Sequence, residues 1–165
     1  MRTTILAVLI NISICALLPG QPSDSIKLVS KQHQKFDPAR DAQKDIKDAV
    51  VLAKKLNRRI LLDVGGEWCI WCHRLDSLFI LNKDLDEYLN EHFIVVKINV
   101  SEENKNEKVL SKYPQVAGYP HIFILNKYGR LIHSQDTGKL EFPKNYPVKG
   151  HDKKKVLAFL KKWAK

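Results

Sequence analysis

The pattern of apolar and polar residues divides the first half of the chain into helices and short strands. Between residues 38 and 59, small and apolar side chains recur every three or four positions, which predicts a helix that begins at Pro38 behind a capping Asp37. The next segment, RRILLDV, is a short apolar run typical of a buried strand. A second helical pattern runs from residue 69 to about Asn90, and we expect an interruption near Asn82.

The second half of the chain is richer in strands. The β-branched segment HFIVVKINV predicts the second strand, and the polar stretch from Ser101 to Tyr113 is expected to be a helix. HIFILN and RLIHS follow as two strands, which the turn Lys127-Tyr128-Gly129 joins in a hairpin. A loop from Thr137 to Asp152 and an amphipathic helix complete the chain.

The predicted order of elements is therefore α, β, α, β, α, β, β, α. Alternation followed by a hairpin implies an α/β fold with a mixed central sheet of about four strands and helices on both faces. A chain of 165 residues has room for one ordinary domain, because a second hydrophobic core needs roughly another hundred residues. We assign that domain to residues 38–165.

The N-terminal residues have the layout of a targeting segment. Arg2 is followed by an apolar run from Ile5 to Leu18 and by the break Pro19-Gly20, which predicts a signal peptide over residues 1–20. Residues 21–37 are expected to form an irregular leader. A retained membrane anchor is the alternative, although the apolar run is shorter than the roughly 20 residues of a comfortable span. The chain is therefore expected to be exported to the periplasm or the extracellular space.

The formal net charge of +10 is concentrated in the last 27 residues. The lysines there are Lys139, Lys144, Lys149, Lys153, Lys154, Lys155, Lys161, Lys162 and Lys165. A solvated helix face explains this cluster, and attraction to an acidic partner or an anionic membrane surface is the alternative. Nucleic-acid binding is not expected, because it would call for interleaved aromatic residues or a recognisable module, and a secretory leader argues against it.

Two cysteines lie within the segment GGEWCIWCHRLD, residues 65–76. The third cysteine, Cys15, falls in the signal peptide, so the exported chain would keep Cys69 and Cys72 in an oxidising compartment. A disulfide that closes so small a ring adds little loop-closure stabilisation. The pair therefore indicates chemistry rather than scaffolding.

The position of the pair predicts a division of roles. If the helix begins at the motif, Cys69 lies among free backbone N–H groups and at the positive end of the helix dipole, which favours its thiolate. Such settings lower a cysteine pKa from about 8.5 to roughly 3.5–7.5. Cys72 follows one turn later on the same face. Cys69 is thus the predicted nucleophile, and Cys72 is the predicted resolving thiol.

Three segments resemble the thioredoxin family in the right order. LLDVGGEWCIWC is similar to the active-site stretch of that family, VVKINV to its central strand, and VAGYPHIFILNKYGR to the segment with the cis-proline and the following hairpin. The resemblance covers roughly residues 58–135 and is strongest to secreted thioredoxin-like proteins with a Trp-Cys-x-Trp-Cys motif. It implies a thioredoxin-like fold and thiol–disulfide exchange with protein thiols or disulfides, supported by a redox partner that the sequence does not identify.

The resemblance also implies roles for residues around the two cysteines. Asp63 corresponds to a buried carboxylate beneath the second cysteine, and Lys97 corresponds to the lysine that pairs with it. A desolvated carboxylate holds a proton tightly and could accept one from Cys72 during resolution. The alternatives are a strand-end hydrogen bond for Asp63 and a snorkelling surface position for Lys97.

Three further residues correspond to the substrate-facing part of the family's site. Pro120 would be the cis-proline that packs against the cysteines, Tyr119 would offer backbone groups to an extended substrate segment, and Trp68 would cover the site. Ile70-Trp71 departs from the Gly-Pro often found between the two cysteines. Because about 30 mV corresponds to roughly 1.4 kcal/mol, this departure leaves the direction of electron flow open.

Two other kinds of chemistry remain as alternatives. CIWCH also satisfies the short signature for covalent haem attachment, with His73 as the proximal ligand. A metal site would need ligands beyond Cys69 and Cys72, and His121, next to the proposed cis-proline, is the best candidate outside the motif. We expect neither a metal nor a cofactor apart from the redox-active Cys69–Cys72 disulfide. A thioredoxin-like module that only binds a partner is the third alternative.

Overall fold

The computed structural model describes residues 34–164 of the chain. The helices are α1 (Ala42–Leu56), α2 (Ile70–Leu81), α3 (Lys83–His92), α4 (Glu107–Leu110) and α5 (Lys153–Trp163). The strands are β1 (Arg59–Gly65), β2 (Phe93–Asn99), β3 (His121–Leu125) and β4 (Leu131–Asp136), and a 3-10 helix spans Thr137–Leu140.

The four strands form one mixed sheet in the order β2-β1-β3-β4. β1 pairs with β2 in parallel, and β3 is antiparallel to both β1 and β4. β1 has neighbours on both sides, which explains why six of its seven residues are buried. The Cys69–Cys72 motif therefore follows an internal, buried strand of the sheet.

Alternation along β1 divides the core into two layers. Ile60, Leu62 and Val64 pack against α1, whereas Leu61 packs with residues of α2, α3 and α5 on the opposite face. Helices cover both faces of the sheet, so the predicted thioredoxin-like α/β architecture with four strands is confirmed. Asp63 lies on the α2 side because it alternates with Leu62 and Val64.

The first helix begins later than the sequence predicts. It starts at Ala42 rather than Pro38, because the N-cap is Asp41, whose side chain accepts a hydrogen bond from the Lys44 N–H at 3.0 Å. Asp37, the predicted cap, instead accepts from the Ala39 N–H at 2.9 Å. A short turn thus precedes the helix.

The helix expected over Ser101–Tyr113 was also wrong in extent, since only Glu107–Leu110 is helical. Local side chains bind the backbone in the preceding residues. The Ser101 hydroxyl accepts from the Asn104 N–H at 3.4 Å, and the Asn104 side chain accepts from the Asn106 N–H at 3.0 Å. These bonds compete with helical ones and produce an ordered loop.

Two predicted breaks agree with the structure, and the segment before the last helix needs a correction. α2 and α3 are separated at Asn82 as expected, and Gly129, with φ of 82°, closes the predicted hairpin. The segment from Thr137 to Asp152 is not all loop, because it begins with the 3-10 helix and contains an antiparallel bridge between Glu141 and His151.

The predicted signal peptide and residues 21–33 of the predicted leader lie outside the described residues. Residues 34–37 belong to no helix or strand. Between residues 34 and 164, none of the helices has the length and apolar character needed to cross a membrane.

Candidate active site

The two cysteines lie where β1 gives way to α2. Gly65 ends the strand, and Cys69 is the N-cap of a helix that begins at Ile70. A disulfide joins Cys69 to Cys72, with 5.2 Å between their Cα atoms. One helical turn separates the two residues, and this local geometry brings their sulfur atoms within bonding distance.

The Cys69 sulfur sits at the positive end of α2. It accepts a hydrogen bond from the Cys72 N–H, with 3.1 Å between sulfur and nitrogen. The same N–H also donates to the Cys69 backbone carbonyl at 3.0 Å, so it is shared between two acceptors at the helix start. When the disulfide is reduced, the same donor and the helix dipole favour a negative charge on Cys69.

Cys72 is the more deeply buried of the two, at 1% exposure against 4% for Cys69. Close contact with Gly65 explains part of this burial, because a Cβ atom at Gly65 would lie only 2.5 Å from the Cys72 sulfur. The missing side chain of glycine thus lets the end of β1 approach the disulfide.

Asp63, Lys97 and Asp76 form a charged cluster between the sheet and α2. Asp63 and Lys97 are direct partners in the register of β1 and β2, and their charged atoms lie 3.6 Å apart. Lys97 makes a shorter contact, of 2.5 Å, with Asp76 on α2. The Lys97 side chain is only 5% exposed, so Lys97 is not the snorkelling surface lysine that the sequence offered as an alternative.

Burial raises the pKa of Asp63 from 3.8 to about 6, and the negative charge of Asp76 adds to this effect, while Lys97 opposes it. One carboxylate oxygen of Asp63, Oδ1, has no hydrogen-bond partner among residues 34–164, which disfavours the anion further. Asp63 is therefore able to exchange a proton near neutral pH.

The predicted substrate-facing residues lie on two loops beside the disulfide. The Tyr119–Pro120 peptide bond is cis, as the resemblance implies. Tyr119 packs against the cluster of Cys69 and Cys72, and the Trp68 ring meets the Tyr119 ring edge to face at 5.7 Å. The Trp68 indole donates to the Val100 carbonyl at 2.7 Å, which holds an otherwise exposed ring in place.

A groove of about 950 Å3 begins at Trp68 and Tyr119 and follows the loop after β2. Leu110 and Val116 contribute to its apolar walls. Its charged lining residues are Glu102, Glu103, Lys105 and Glu107. The groove is thus locally acidic, although the chain as a whole carries a net charge of +10.

The two histidines considered as ligands have partners of their own. The His73 Nε2 atom lies 2.7 Å from the Glu67 carbonyl oxygen, and the His121 Nε2 atom lies 2.8 Å from the Ser134 hydroxyl. No group of three or more His, Cys, Asp or Glu residues with the geometry of a metal site occurs between residues 34 and 164.

Sequence reasoning missed three residues of this region. Asp76 could have been found, because it follows Cys72 by four positions on one helix and so shares its face. Phe36, which packs on both cysteines, and His151, whose ring meets Trp71 edge to face at 5.9 Å, come from distant segments. No local pattern marks either residue.

Comparison with known proteins places this geometry in a family. The family described as thioredoxin-like matches residues 41–127, which is more than half of the chain. The chain therefore belongs to the thioredoxin-like family.

Solved structures share its fold. A disulphide isomerase from Xylella fastidiosa Temecula1 is 24% identical, with a TM-score of 0.65 over 79% of this chain and 96% of the other. The oxidised C-terminal domain of DsbD from Neisseria meningitidis is 16% identical, with a TM-score of 0.54 over 79% of this chain and 99% of the domain. At these identities the likeness establishes the fold.

Curated relatives match over shorter segments. Mouse spermatogenesis-associated protein 20 is 36% identical over 63 residues, or 38% of this chain and 8% of that protein. The thiol:disulfide interchange protein DsbD of Klebsiella pneumoniae is 24% identical over 79 residues, or 48% of this chain and 13% of that protein. The aligned segments are thus small parts of much longer proteins.

Proposed function

We propose that this protein is an exported thiol–disulfide oxidoreductase that exchanges disulfides with protein substrates through Cys69 and Cys72. The observation that carries the proposal is the N-cap position of Cys69, whose sulfur accepts the Cys72 N–H within a closed disulfide. The thioredoxin-like fold and the resemblance to part of a thiol:disulfide interchange protein support it.

Cys69 is the nucleophile of the proposed reaction. In the reduced protein its thiolate attacks one sulfur of a substrate disulfide, and the second substrate sulfur leaves as a thiolate that takes up a proton. The product is a mixed disulfide between Cys69 and the substrate. The helix dipole and the Cys72 N–H keep Cys69 ionised for this step.

Cys72 completes the cycle. Its thiol gives a proton to the Asp63 carboxylate, and the resulting thiolate attacks the Cys69 sulfur. The Cys69–Cys72 bond forms, the bond to the substrate breaks, and the substrate leaves reduced by two electrons while the protein dithiol becomes a disulfide. Lys97 and Asp76 set the charge around Asp63 during this transfer. The reverse sequence oxidises a substrate dithiol, and the redox potential of the pair decides the direction.

The substrate segment is proposed to lie beside Trp68, Tyr119 and Pro120. The backbone groups of Tyr119 are offered to an extended chain, while Trp68 forms the wall between the disulfide and the groove. Protein thiols or disulfides are the expected partners, together with a further protein that restores the redox state. No additional cofactor is required by these steps.

The compartment follows from the N-terminal residues. A signal peptide over residues 1–20 would deliver the protein to an oxidising space, the periplasm or the extracellular medium, where a disulfide persists. The lysine-rich C-terminal segment would favour contact with an anionic membrane surface there. Some of that charge is locally paired, since Lys153 contacts Asp84 at 2.8 Å.

A trapping experiment tests the proposed mechanism. Cys72→Ser removes the resolving thiol, so mixed disulfides through Cys69 should accumulate and release their partner with dithiothreitol. The double variant Cys69→Ser/Cys72→Ser is the matched control and should trap nothing. An equal yield from both variants, or no adduct from either, would refute the mechanism. Insulin reduction and the redox potential of the wild type then define the direction of electron flow.

The same preparations distinguish the remaining alternatives. A haem protein purified from a host that attaches haem would show a Soret band, whereas the pairing of the two sulfurs with each other favours a colourless oxidoreductase. A module that only binds a partner would keep its biological effect in the double serine variant. Loss of that effect in the double variant supports the enzyme.

A further inference from the structure

The segment ahead of the matched domain packs onto the active site. We call residues 34–40 the N-terminal strap. Its Phe36 side chain is 2% exposed and forms a cluster with Cys69 and Cys72. The match to the thioredoxin-like family begins at residue 41, so Phe36 lies outside the matched segment.

The Phe36 ring lies beside the Cys72 sulfur and the end of β1, and it also contacts Lys97 of the charged cluster. A Cβ atom at Gly65 would lie 3.0 Å from the Phe36 ring and 2.5 Å from the Cys72 sulfur, so ring, sulfur and strand end meet at one point. The Lys97 ammonium lies 4.2 Å from the centre of the same ring, at the distance of a cation–π contact. The ring thus excludes water on one side of Lys97.

Two hydrogen bonds tie the strap to loops that flank the disulfide. The Phe36 N–H donates to the Glu67 carboxylate at 2.8 Å, two residues before Cys69. The Asn104 side chain donates to the Pro38 carbonyl at 2.8 Å from the loop after β2. The position of Phe36 therefore depends on the same loops that form the active site.

We propose that Phe36 is a positioning residue for the resolving step, because its ring keeps water from Cys72 and Lys97 while Cys72 gives up its proton. The inference rests on the proposed thiol–disulfide exchange. Exclusion of water also disfavours the charged form of Asp63, and this effect of burial on its pKa is larger than the opposing effect of Lys97. The attack by Cys69 depends instead on the start of α2, which Phe36 does not form.

The groups that act on Asp63 are few. Lys97 faces it from β2, and Asp76 and the Cys72 thiol belong to α2. The residues that α3 and β3 contribute to this part of the interior, Leu89 and Ile122, are apolar. Water admitted by removal of the Phe36 ring would relieve the burial that raises the pKa of Asp63. The proton acceptor would then be weaker at neutral pH.

The test separates attack from resolution. Reduced protein is mixed with a symmetric peptide disulfide, samples are quenched with acid, and mass spectrometry follows the mixed disulfide and the closed Cys69–Cys72 form. In Phe36→Ala we expect attack to change little, resolution to slow by about tenfold or more, and the mixed disulfide to accumulate. In the wild type the resolution rate should fall as the pH drops through about 6, where Asp63 becomes protonated. In Phe36→Ala this fall should occur at lower pH. Phe36→Leu, which restores an apolar cover, should recover most of the rate.

A second pair of variants avoids any change to the core. Glu67→Ala removes the acceptor that anchors the Phe36 N–H, whereas Glu67→Gln keeps an acceptor oxygen. We expect the alanine variant to show the Phe36→Ala behaviour in weaker form and the glutamine variant to resemble the wild type. Attack and resolution rates that fall in parallel, or an unchanged pH dependence of resolution in Phe36→Ala, would overturn the inference. A wild type that forms no mixed disulfide would instead refute the proposed function.

Discussion

The carboxylate of Asp63 and the ammonium of Lys97 face each other across the parallel pairing of β1 and β2, 3.6 Å apart in the interior. The pair does not fully offset the burial of Asp63, because its pKa is still raised to about 6. A group whose pKa is higher in the folded state stabilises the fold below its unfolded pKa. That contribution is lost as the pH rises through the folded pKa.

Asp63→Asn should therefore stabilise the oxidised protein at alkaline pH. In the wild type, ionisation of buried Asp63 at pH 8 lowers the free energy of unfolding by about 3 kcal/mol, which corresponds to the shift of its pKa from 3.8 to about 6. The amide cannot ionise, so the variant avoids this loss. At pH 4 the folded carboxyl is protonated and the unfolded one is about half ionised, so the difference should shrink to well under about 1 kcal/mol. Denaturant unfolding at pH 4 and pH 8 measures both values. A difference independent of pH would exclude ionisation of Asp63 as its source.

His151 is predicted to make the fold less stable at acid pH, opposite to the effect of Asp63. It is 2% exposed, neither ring nitrogen has a hydrogen-bond partner between residues 34 and 164, and burial lowers its pKa from 6.5 to about 4, with the positive charge of Arg74 adding to the effect. Its neutral form is favoured in the folded state, so stability falls as the pH drops from about 6.5 through 4.

His151→Phe should remove this acid sensitivity while keeping an aromatic edge against Trp71. We expect the variant to gain about 3 kcal/mol over the wild type at pH 4, and less at pH 7.5 where the histidine is neutral in both states. Urea unfolding across this range measures the gain. Parallel stability curves for the two proteins would contradict the prediction.

Gly65→Ala should destabilise the oxidised protein. The new methyl group would lie 2.5 Å from the Cys72 sulfur and 3.0 Å from the Phe36 ring, so one of them must move, at a cost of about 1–3 kcal/mol. Gly118→Ala is the matched control, because no atom lies within 4 Å of its added methyl group. Denaturant unfolding compares the two variants, and equal losses would show that the contact at Gly65 is not the cause.

The acidic lining of the groove predicts a preference for basic peptides. Glu103→Lys/Glu107→Lys reverses two of its charges and should shift the ratio of exchange rates for lysine-flanked and glutamate-flanked peptide disulfides by about threefold to tenfold, since exposed charge pairs contribute about 0.2–1 kcal/mol each. Added salt should reduce the preference. Glu87→Lys/Glu91→Lys on α3 makes the same change in net charge away from the groove. If that control shifts the ratio equally, net charge rather than the groove sets the preference.

The sequence by itself determined the features that depend on neighbouring residues. A strand-like run ends just before the cysteine motif and a helical pattern begins at it, so Cys69 and Cys72 were expected one turn apart at a helix start. The structure has them in this position. The same local reasoning predicted the break at Asn82 and the hairpin turn at Gly129. It failed over Ser101–Tyr113, where side-chain bonds to the backbone compete with the helix.

Only the tertiary structure decided which distant residues surround the two sulfurs. The pairing of Asp63 with Lys97 was expected from resemblance and depends on the register of two strands. Phe36 and His151 reach the motif from opposite ends of the described chain, and neither has a periodic pattern that marks it. The physical reason is that periodicity specifies which face of an element is buried, whereas the partner of that face is selected by packing of the whole chain.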